Sequence, residues 1–326
     1  MKKKRILSGM RPTGKLHLGH YVGALENWIK LQDDYDSFHL VADYHVLTTN
    51  LNTEHIYENT IEMVIDWLAS GLDPNKSPFF RQSQIKEHTE LFLLFSMLIT
   101  KARLERNPTV KEQARDLHID KIIYGHLGYP ILQSADILLY KGEAVPVGED
   151  QVPHIEITRE VAKKFNQEYG IVFPEPKPLL TNFARLPGLD GNAKMSKSLN
   201  NSILLSDSPD VVQKKLRKAV TDPQKIRRND PGRPEVCLVF TYHKKFNAAE
   251  TDEIEQGCRS GKLGCVDCKL KCTSKINEFL APIIESRRRY EQNINIVVDV
   301  LKSGEKRAKE VAVQTMAEVH QKMELG

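Results

Sequence analysis

Cysteine is missing from the first 236 residues of this 326-residue chain; all five lie between Cys237 and Cys272. Such crowding in a chain with no secretory features favours metal ligation over disulfides. Long apolar runs are missing too. The best candidate, Leu91 to Thr100, falls short of the ~18 residues that a membrane helix needs. Four basic residues at positions 2–5 resemble the start of a signal peptide, but Ile6 to Thr13 supplies no apolar stretch behind them. Proline and glycine number only 16 and 18, with 40% hydrophobic and 28% charged residues. Collagen-like, disordered and coiled-coil readings are therefore excluded. No internal repeat or low-complexity segment is present. A cytoplasmic enzyme with no membrane association is the expectation, and the length suits two domains or one large α/β domain with an appendage.

Charge of one sign is scarce overall, at +4, but its distribution is uneven. Residues 1–200 carry 24 basic and 25 acidic side chains, whereas 201–326 carry 23 and 18. The surplus lies within 201–295, with 18 basic against 13 acidic. A local basic bias of this kind points to a polyanion partner.

The first half alternates strand and helix signals. Ile6-Leu7-Ser8, Phe38 to Ala42, Phe79-Phe80 and Ala144 to Val147 read as strands. The second is continuously apolar, as strands buried in parallel sheets are. Leu18, Val22, Leu25 and Ile29 share one 3.6-period face. Helices are expected over Ile56 to Ser70, with Gly71 as the C′ residue, and over His88 to Lys101, Ile131 to Tyr140 and Gln151 to Phe165. The alternation predicts an α/β fold, a Rossmann-like doubly wound parallel sheet, followed by an α-helical C-terminal domain. The expected division is 1–201 for a catalytic domain, 202–295 for a helical domain and 296–326 for one or two surface helices.

Two motifs carry chemistry. Thr13-Gly14-Lys15-Leu16-His17-Leu18-Gly19-His20 lies between the first strand and the first helix, where parallel sheets bind ligands. Free N–H groups there attract phosphate, Gly19 permits close approach to the backbone, and His17 and His20 face the same way. A strand–helix turn with a surface histidine pair would read identically. Downstream, Gly188-Leu189-Asp190-Gly191-Asn192 precedes Lys194-Met195-Ser196-Lys197-Ser198. Two lysines three apart in a flexible loop suit a cationic clamp on a leaving pyrophosphate, although most such pentapeptides are solvated loops.

Together these motifs resemble the paired signatures of class I aminoacyl-tRNA synthetases. Tyr129-Pro130, Ala135 to Tyr140 and Val145 to Gln151 are similar to the tryptophanyl-tRNA synthetases of that class. The likeness runs through residues 5 to 222 and more loosely to the C-terminus. It implies activation of L-tryptophan by ATP with Mg²⁺, transfer to tRNA(Trp), and a homodimer. His17, His20, Lys194 and Lys197 become the catalytic residues, the histidines at the α-phosphate and the lysines at the leaving pyrophosphate. Arg11, Thr13, Gly19, Lys111, Gly148, Asp150, Met195 and Ser196 join them in an ATP-binding set. Indole offers one polar handle, a donor-only N–H, and the resemblance gives it to Asp136 on an apolar helix. It places Val145 and Val147 beside the ring, Tyr129 and Gln151 at the amino group, His45 at the carboxylate and Gly9 where the backbone meets the substrate. Gln133 stands where many relatives carry an apolar methionine.

Cys237-x20-Cys258-x6-Cys265-x2-Cys268 supplies four metal-ligand candidates, with Cys272 as a spare or substitute and Lys262, Lys269 and Lys271 to offset thiolate charge. The spacing alone leaves tetrahedral Zn²⁺ and an iron–sulfur cluster open. Some bacterial members of the tryptophanyl family carry a 4Fe–4S cluster at a similar pattern, and that resemblance favours iron–sulfur over Zn²⁺, with a structural or tRNA-contacting role. The competing functions are an ATP-dependent nucleotidyltransferase of the same superfamily, a non-catalytic RNA-binding module, and a tyrosyl enzyme.

Overall fold

Five parallel strands form one sheet in the order β3-β2-β1-β4-β5, in a computed structural model that describes residues 3–116, 119–180, 186–191 and 195–325. They are β1 (Arg5–Met10), β2 (Asp36–Val41), β3 (Phe79–Arg81), β4 (Ala144–Val147) and β5 (Lys177–Leu180). The order reverses between β1 and β4, so the crevice at their carboxyl ends is the switch point at which doubly wound sheets bind ligands. The expected fold class is the one observed.

Between β1 and β2 the chain makes a short helix α1 (Leu18–His20), a π turn over Tyr21–Leu25, and α2 (Glu26–Leu31). Leu18, Val22 and Leu25 are buried along this run, as the 3.6 spacing requires. After β2 come α3 (Asp43–Leu47) and α4 (Ile56–Ala69). Gly71, at φ +107°, closes α4: its N–H bonds Leu68 O at 3.1 Å and the next N–H bonds Trp67 O at 3.2 Å. That Schellman pattern needs the left-handed residue that glycine supplies.

Helices α5 (Glu87–Ser96), α6 (Lys101–Glu105), α7 (Pro108–Asp116) and α8 (Tyr124–Leu139) lie between β3 and β4. The helix expected over His88 to Lys101 divides, because the Thr100 side chain caps a new one at the Arg103 N–H, 3.3 Å away. Conversely, α8 starts seven residues before its expected origin and runs through Pro130. Close packing against α5 and against α9 (Val152–Tyr169) offsets the lost backbone bond there.

The second half is helical, with α10 (Pro209–Arg217), α11 (Leu238–Phe246), α12 (Thr251–Arg259), α13 (Cys265–Gln292) and α14 (Ile294–Met323). One or two surface helices were expected at the end. The structure has a single helix, α14, whose Val297, Leu301, Ala308, Ala312, Met316 and Val319 are all buried. Gly304 meets the edge of the sheet there: a Cβ would fall 1.9 Å from Phe79 O. Arg81 and Glu305 form an ion pair beside it at 2.6 Å.

The core has two parts, one on each face of the sheet. One gathers Leu16, Trp28, Trp67 and Phe79 with Leu280 and Val297 of the late helices. The other gathers Leu7, Leu40, Ile137, Val145 and Ile155 with Ala308 and Ala312. Among the described residues no helix is long and apolar enough to cross a membrane.

Candidate active site

The loop from β1 to α1 is shaped by reciprocal caps. His17 Nδ1 accepts the backbone N–H of His20 at 3.3 Å, and His20 Nδ1 accepts that of His17 at 3.2 Å. The two rings stack with centroids 3.7 Å apart. Because both Nδ1 atoms accept, a neutral ring in each carries its hydrogen on Nε2, the donor suited to a phosphate oxygen. Gly19 is required by this arrangement itself, since a Cβ would sit 2.9 Å from His17 Nδ1.

The lysine loop is folded onto this motif. Leu18 N–H donates to Ile203 O and Leu205 N–H to Leu16 O, both at 2.9 Å. Met195 is buried with its Cβ over Gly19. Lys197 Nζ donates to the carbonyl of Thr13 and, at 2.9 Å, to that of Lys15. Its half-buried position lowers its pKa through desolvation. Ser196 N–H is fixed by Asn201 Oδ1 at 2.7 Å. Lys194 lies outside the described residues. Two motifs far apart in sequence are thus brought onto one surface by the 203–205 pairing and by the Lys197 bonds.

A second polar centre lies inside α8. Asp136, 2% exposed, accepts from His45 Nε2 at 2.8 Å through one oxygen, and from Gln82 Nε2 at 2.7 Å and His88 Nδ1 at 2.6 Å through the other. Burial alone would raise its pKa, but the His45 and His88 bonds hold it down at about 2. His88 in turn meets Tyr140 Oη at 2.8 Å. A carboxylate offers about four acceptor positions, so three are filled and one remains, on the oxygen facing His45. The structure therefore ties His45 to Asp136.

Tyr129 and Gln133 lie seven and three residues before Asp136 along α8, on the same face. Tyr129 Oη is 3.0 Å from His154 Nε2, and His154 Nδ1 is 3.0 Å from Asn107 Nδ2. The Thr109 N–H bond to Asn107 Oδ1, 3.0 Å, fixes the amide with its NH₂ toward the ring. Burial lowers the His154 pKa to about 4 and raises that of Tyr129 to about 12. A neutral His154 then donates from Nε2 to Tyr129, leaving the phenol hydrogen to donate elsewhere.

The remaining expected residues lie on β1, β4, α7 and the loops beside them. Gly9 is exposed, one residue before the end of β1, and a Cβ there would crowd Leu40 O at 3.0 Å. Val145 and Val147 are buried on β4 within the core. Gly148, Asp150 and Gln151 form the turn that follows, tied to α7 by Thr109 Oγ1 donating to Asp150 O at 3.0 Å. Arg11 reaches Thr49 Oγ1 at 3.4 Å, and burial lowers its pKa. Thr13 is exposed, and Lys111 is exposed on α7. Gln82, His88, Asn107 and His154 were not anticipated; an uncharged polar residue in an otherwise apolar segment was the available signal for His88 and His154.

In the helical region Cys237, Cys258, Cys265 and Cys268 line one cavity of about 20 Å³, together with Asp222 and Lys225. That is room for about one water. Cys268 is pushed up to about 12, by burial first and then by the other three thiols. Four sulfurs that oppose one another's ionisation suit a shared cation. Burial raises the Cys258 pKa against the opposing charge of Lys225, and burial lowers that of Lys269 against the opposing pull of three of the thiols. Even so, among the described residues no three histidine, cysteine or carboxylate groups are placed to hold a metal ion. Cys272 faces away, fully buried in the core.

Residues 1–281 match the family described as tRNA synthetases class I (W and Y). The chain is 50% identical to the tryptophan–tRNA ligase of Thermotoga maritima, covering 98% of this chain and 99% of that one. It is 45% identical to that of Aquifex aeolicus, covering 98% and 100%. Its fold superposes with a TM-score of 0.88 on tryptophanyl-tRNA synthetase from Campylobacter jejuni complexed with ADP and tryptophan, at 30% identity over 98% and 99% of the two chains.

Proposed function

From the premise that the chain belongs to the class I tRNA synthetases of the tryptophanyl and tyrosyl type, we propose that it joins L-tryptophan to tRNA(Trp) in two steps. In the first, a carboxylate oxygen of tryptophan attacks the α-phosphorus of Mg-ATP. A phosphoric–carboxylic anhydride bond forms, the α–β bridge breaks, and pyrophosphate leaves. In the second, a hydroxyl of the terminal tRNA ribose displaces AMP. Neither step needs a covalent bond to the enzyme, so the protein contributes placement and charge.

The observation that carries tryptophan as substrate is the one acceptor position remaining on Asp136. It matches the single indole donor, and an ionised carboxylate has no hydrogen with which to meet another donor. Gln133 and Tyr129 line the same helix face, with Val145, Val147 and Gly9 at the sheet and Gln151 at the following turn. His17 and His20 direct their Nε2 donors to the α-phosphate. Lys197 exchanges the carbonyls of Thr13 and Lys15 for pyrophosphate oxygens, and Lys194 adds the second cation there. Arg11, Thr13, Gly19, Lys111, Gly148, Asp150, Met195 and Ser196 complete the ATP site.

For the four cysteines, their gathering around one cavity supports a shared metal centre, and the resemblance to cluster-carrying members of the tryptophanyl family favours 4Fe–4S over Zn²⁺. When bound, such a group crosslinks α11, α12 and α13. The basic surplus of residues 201–295 suits a tRNA-facing surface. A homodimer is supported by Leu93, Met97, Ile122, Ile123 and Tyr124, large apolar side chains left exposed on α5 and around the start of α8. A cytoplasmic enzyme fits this reading.

The deciding assay is ATP–pyrophosphate exchange with L-tryptophan and L-tyrosine in separate reactions, followed by charging of tRNA(Trp). Exchange with tryptophan is expected. Exchange with tyrosine alone, or with neither, overturns the proposal.

A further inference from the structure

Arg287 lies on α13, more than 200 residues from the histidine loop, and is 2% exposed. Its guanidinium meets three carboxylates. Nη1 donates to Asp66 Oδ1, Nη2 to Glu62 Oε2, and Nε to Glu291 Oε1 at 2.9 Å. Only one of the three also touches the candidate site. Asp66, fully buried in α4, accepts the backbone N–H of Leu16 at 2.6 Å through its other oxygen. Leu16 directly precedes His17, and its carbonyl takes the Leu205 N–H that pairs the two motifs. The charge on Asp66 also favours the ammonium of Lys197.

We propose that Asp66 and Arg287 are positioning residues for amino-acid activation, setting the backbone from which His17 and His20 reach the α-phosphate. The physical basis is the asymmetry of a buried carboxylate. Held by Arg287, it stays ionised and grips one chosen N–H; without that charge the grip on Leu16 weakens and the caps of the histidine pair shift with it. Catalysis that depends on placement is sensitive to movements of about 1 Å. Arg287 shares α13 with Cys265 and Cys268, roughly 33 and 29 Å away at 1.5 Å per residue. The same helix that walls the cysteine cavity thus also anchors the catalytic loop. This inference rests on the proposed synthetase reaction.

The test uses the full-length protein and four variants: Asp66→Asn, Arg287→Lys, Glu62→Gln and Glu291→Gln. Each is assayed by pyrophosphate exchange at a temperature where circular dichroism shows it folded. Asp66→Asn is expected to lower kcat tenfold or more while KM for tryptophan stays within twofold, because Asp136 and its neighbours are untouched. Arg287→Lys is expected to lower kcat by a smaller factor with the same unchanged KM. Glu62→Gln and Glu291→Gln lose a bond to Arg287 but none to the loop, so they should lower Tm and leave kcat as in the wild type. Wild-type kcat in folded Asp66→Asn overturns the proposal, as does a fall in kcat that simply tracks Tm across all four. Should Asp66→Asn not fold, Arg287→Lys decides by the same criteria. A wild-type enzyme inactive with tryptophan would instead refute the synthetase reading itself.

Discussion

His17 and His20 each use a ring nitrogen to accept the other's backbone N–H, at 3.3 and 3.2 Å. The pair is therefore one rigid unit, and the residue between them has no space for a side chain. Gly19→Ala puts a methyl carbon 2.9 Å from His17 Nδ1, forcing the ring out of its cap. We expect kcat for pyrophosphate exchange to fall at least about tenfold, equivalent to about 1.4 kcal/mol, with little change in KM for tryptophan. Steady-state exchange kinetics check this.

Asp136→Asn keeps the shape of the side chain but gives it an NH₂ that must face one of the donors His45, His88 or Gln82. Loss of a charged acceptor in a buried network is worth about 1.5–3 kcal/mol. The expected result is a drop on the order of 100-fold in kcat/KM for tryptophan. Unaltered kcat/KM would remove Asp136 from substrate recognition.

Lys197 donates to the backbone carbonyls of Thr13 and Lys15, an arrangement that leaving phosphate can replace. Removing one cation that stabilises developing charge costs about 10²–10³ in rate. Lys197→Met should lower kcat by that order and leave tryptophan binding, followed by calorimetry, close to wild type.

Cys268 and Cys272 stand one helical turn apart, one lining the cavity and the other packed in the core. Cys268→Ser should abolish metal uptake on anaerobic reconstitution, measured by iron and zinc analysis. Cys272→Ala should retain the metal and lower stability by about 1–2 kcal/mol, as small core deletions do. Equal metal content in both variants would reject the four-cysteine ligand set.

Two buried histidines predict the acid limit of stability. His154 is lowered to about 4 and His39 to about 3, both by burial. Each folded-state pKa lies below the unfolded value of about 6.5, so folding favours the neutral ring. Their contribution is complete above pH 6.5 and is lost as pH falls from there toward 4. For His154 alone the loss approaches about 3 kcal/mol at 1.36 kcal/mol per pH unit. Thermal unfolding should show Tm dropping through that window, and His154→Gln should flatten the slope.

Much of the sheet was legible because its signals are local. Four strands, the Schellman close at Gly71 and the position of both motifs follow from short windows of sequence. β5 was not, since Lys177 and Pro178 do not read as strand; at an edge, proline's missing donor faces no partner. The chain Asn107–His154–Tyr129 and the Asp66–Arg287 pair were illegible for another reason. Their members are 47, 25 and 221 residues apart, and no periodicity links such positions. α14 was misjudged because its charges cancel and its buried stripe is built from small residues, Gly304, Ala308 and Ala312, which carry little hydropathy.

The contact between Gly304 and Phe79 also bears on folding during synthesis. The sheet is assembled from residues made early, yet its β3 edge is covered by a helix made some 220 residues later. Until that helix emerges, a nascent chain shows Phe79 and an open strand edge to its surroundings, a state that invites chaperone binding or mispairing. Chains released before Gly304 should accordingly be cleared by proteases even though every proposed catalytic residue is already present.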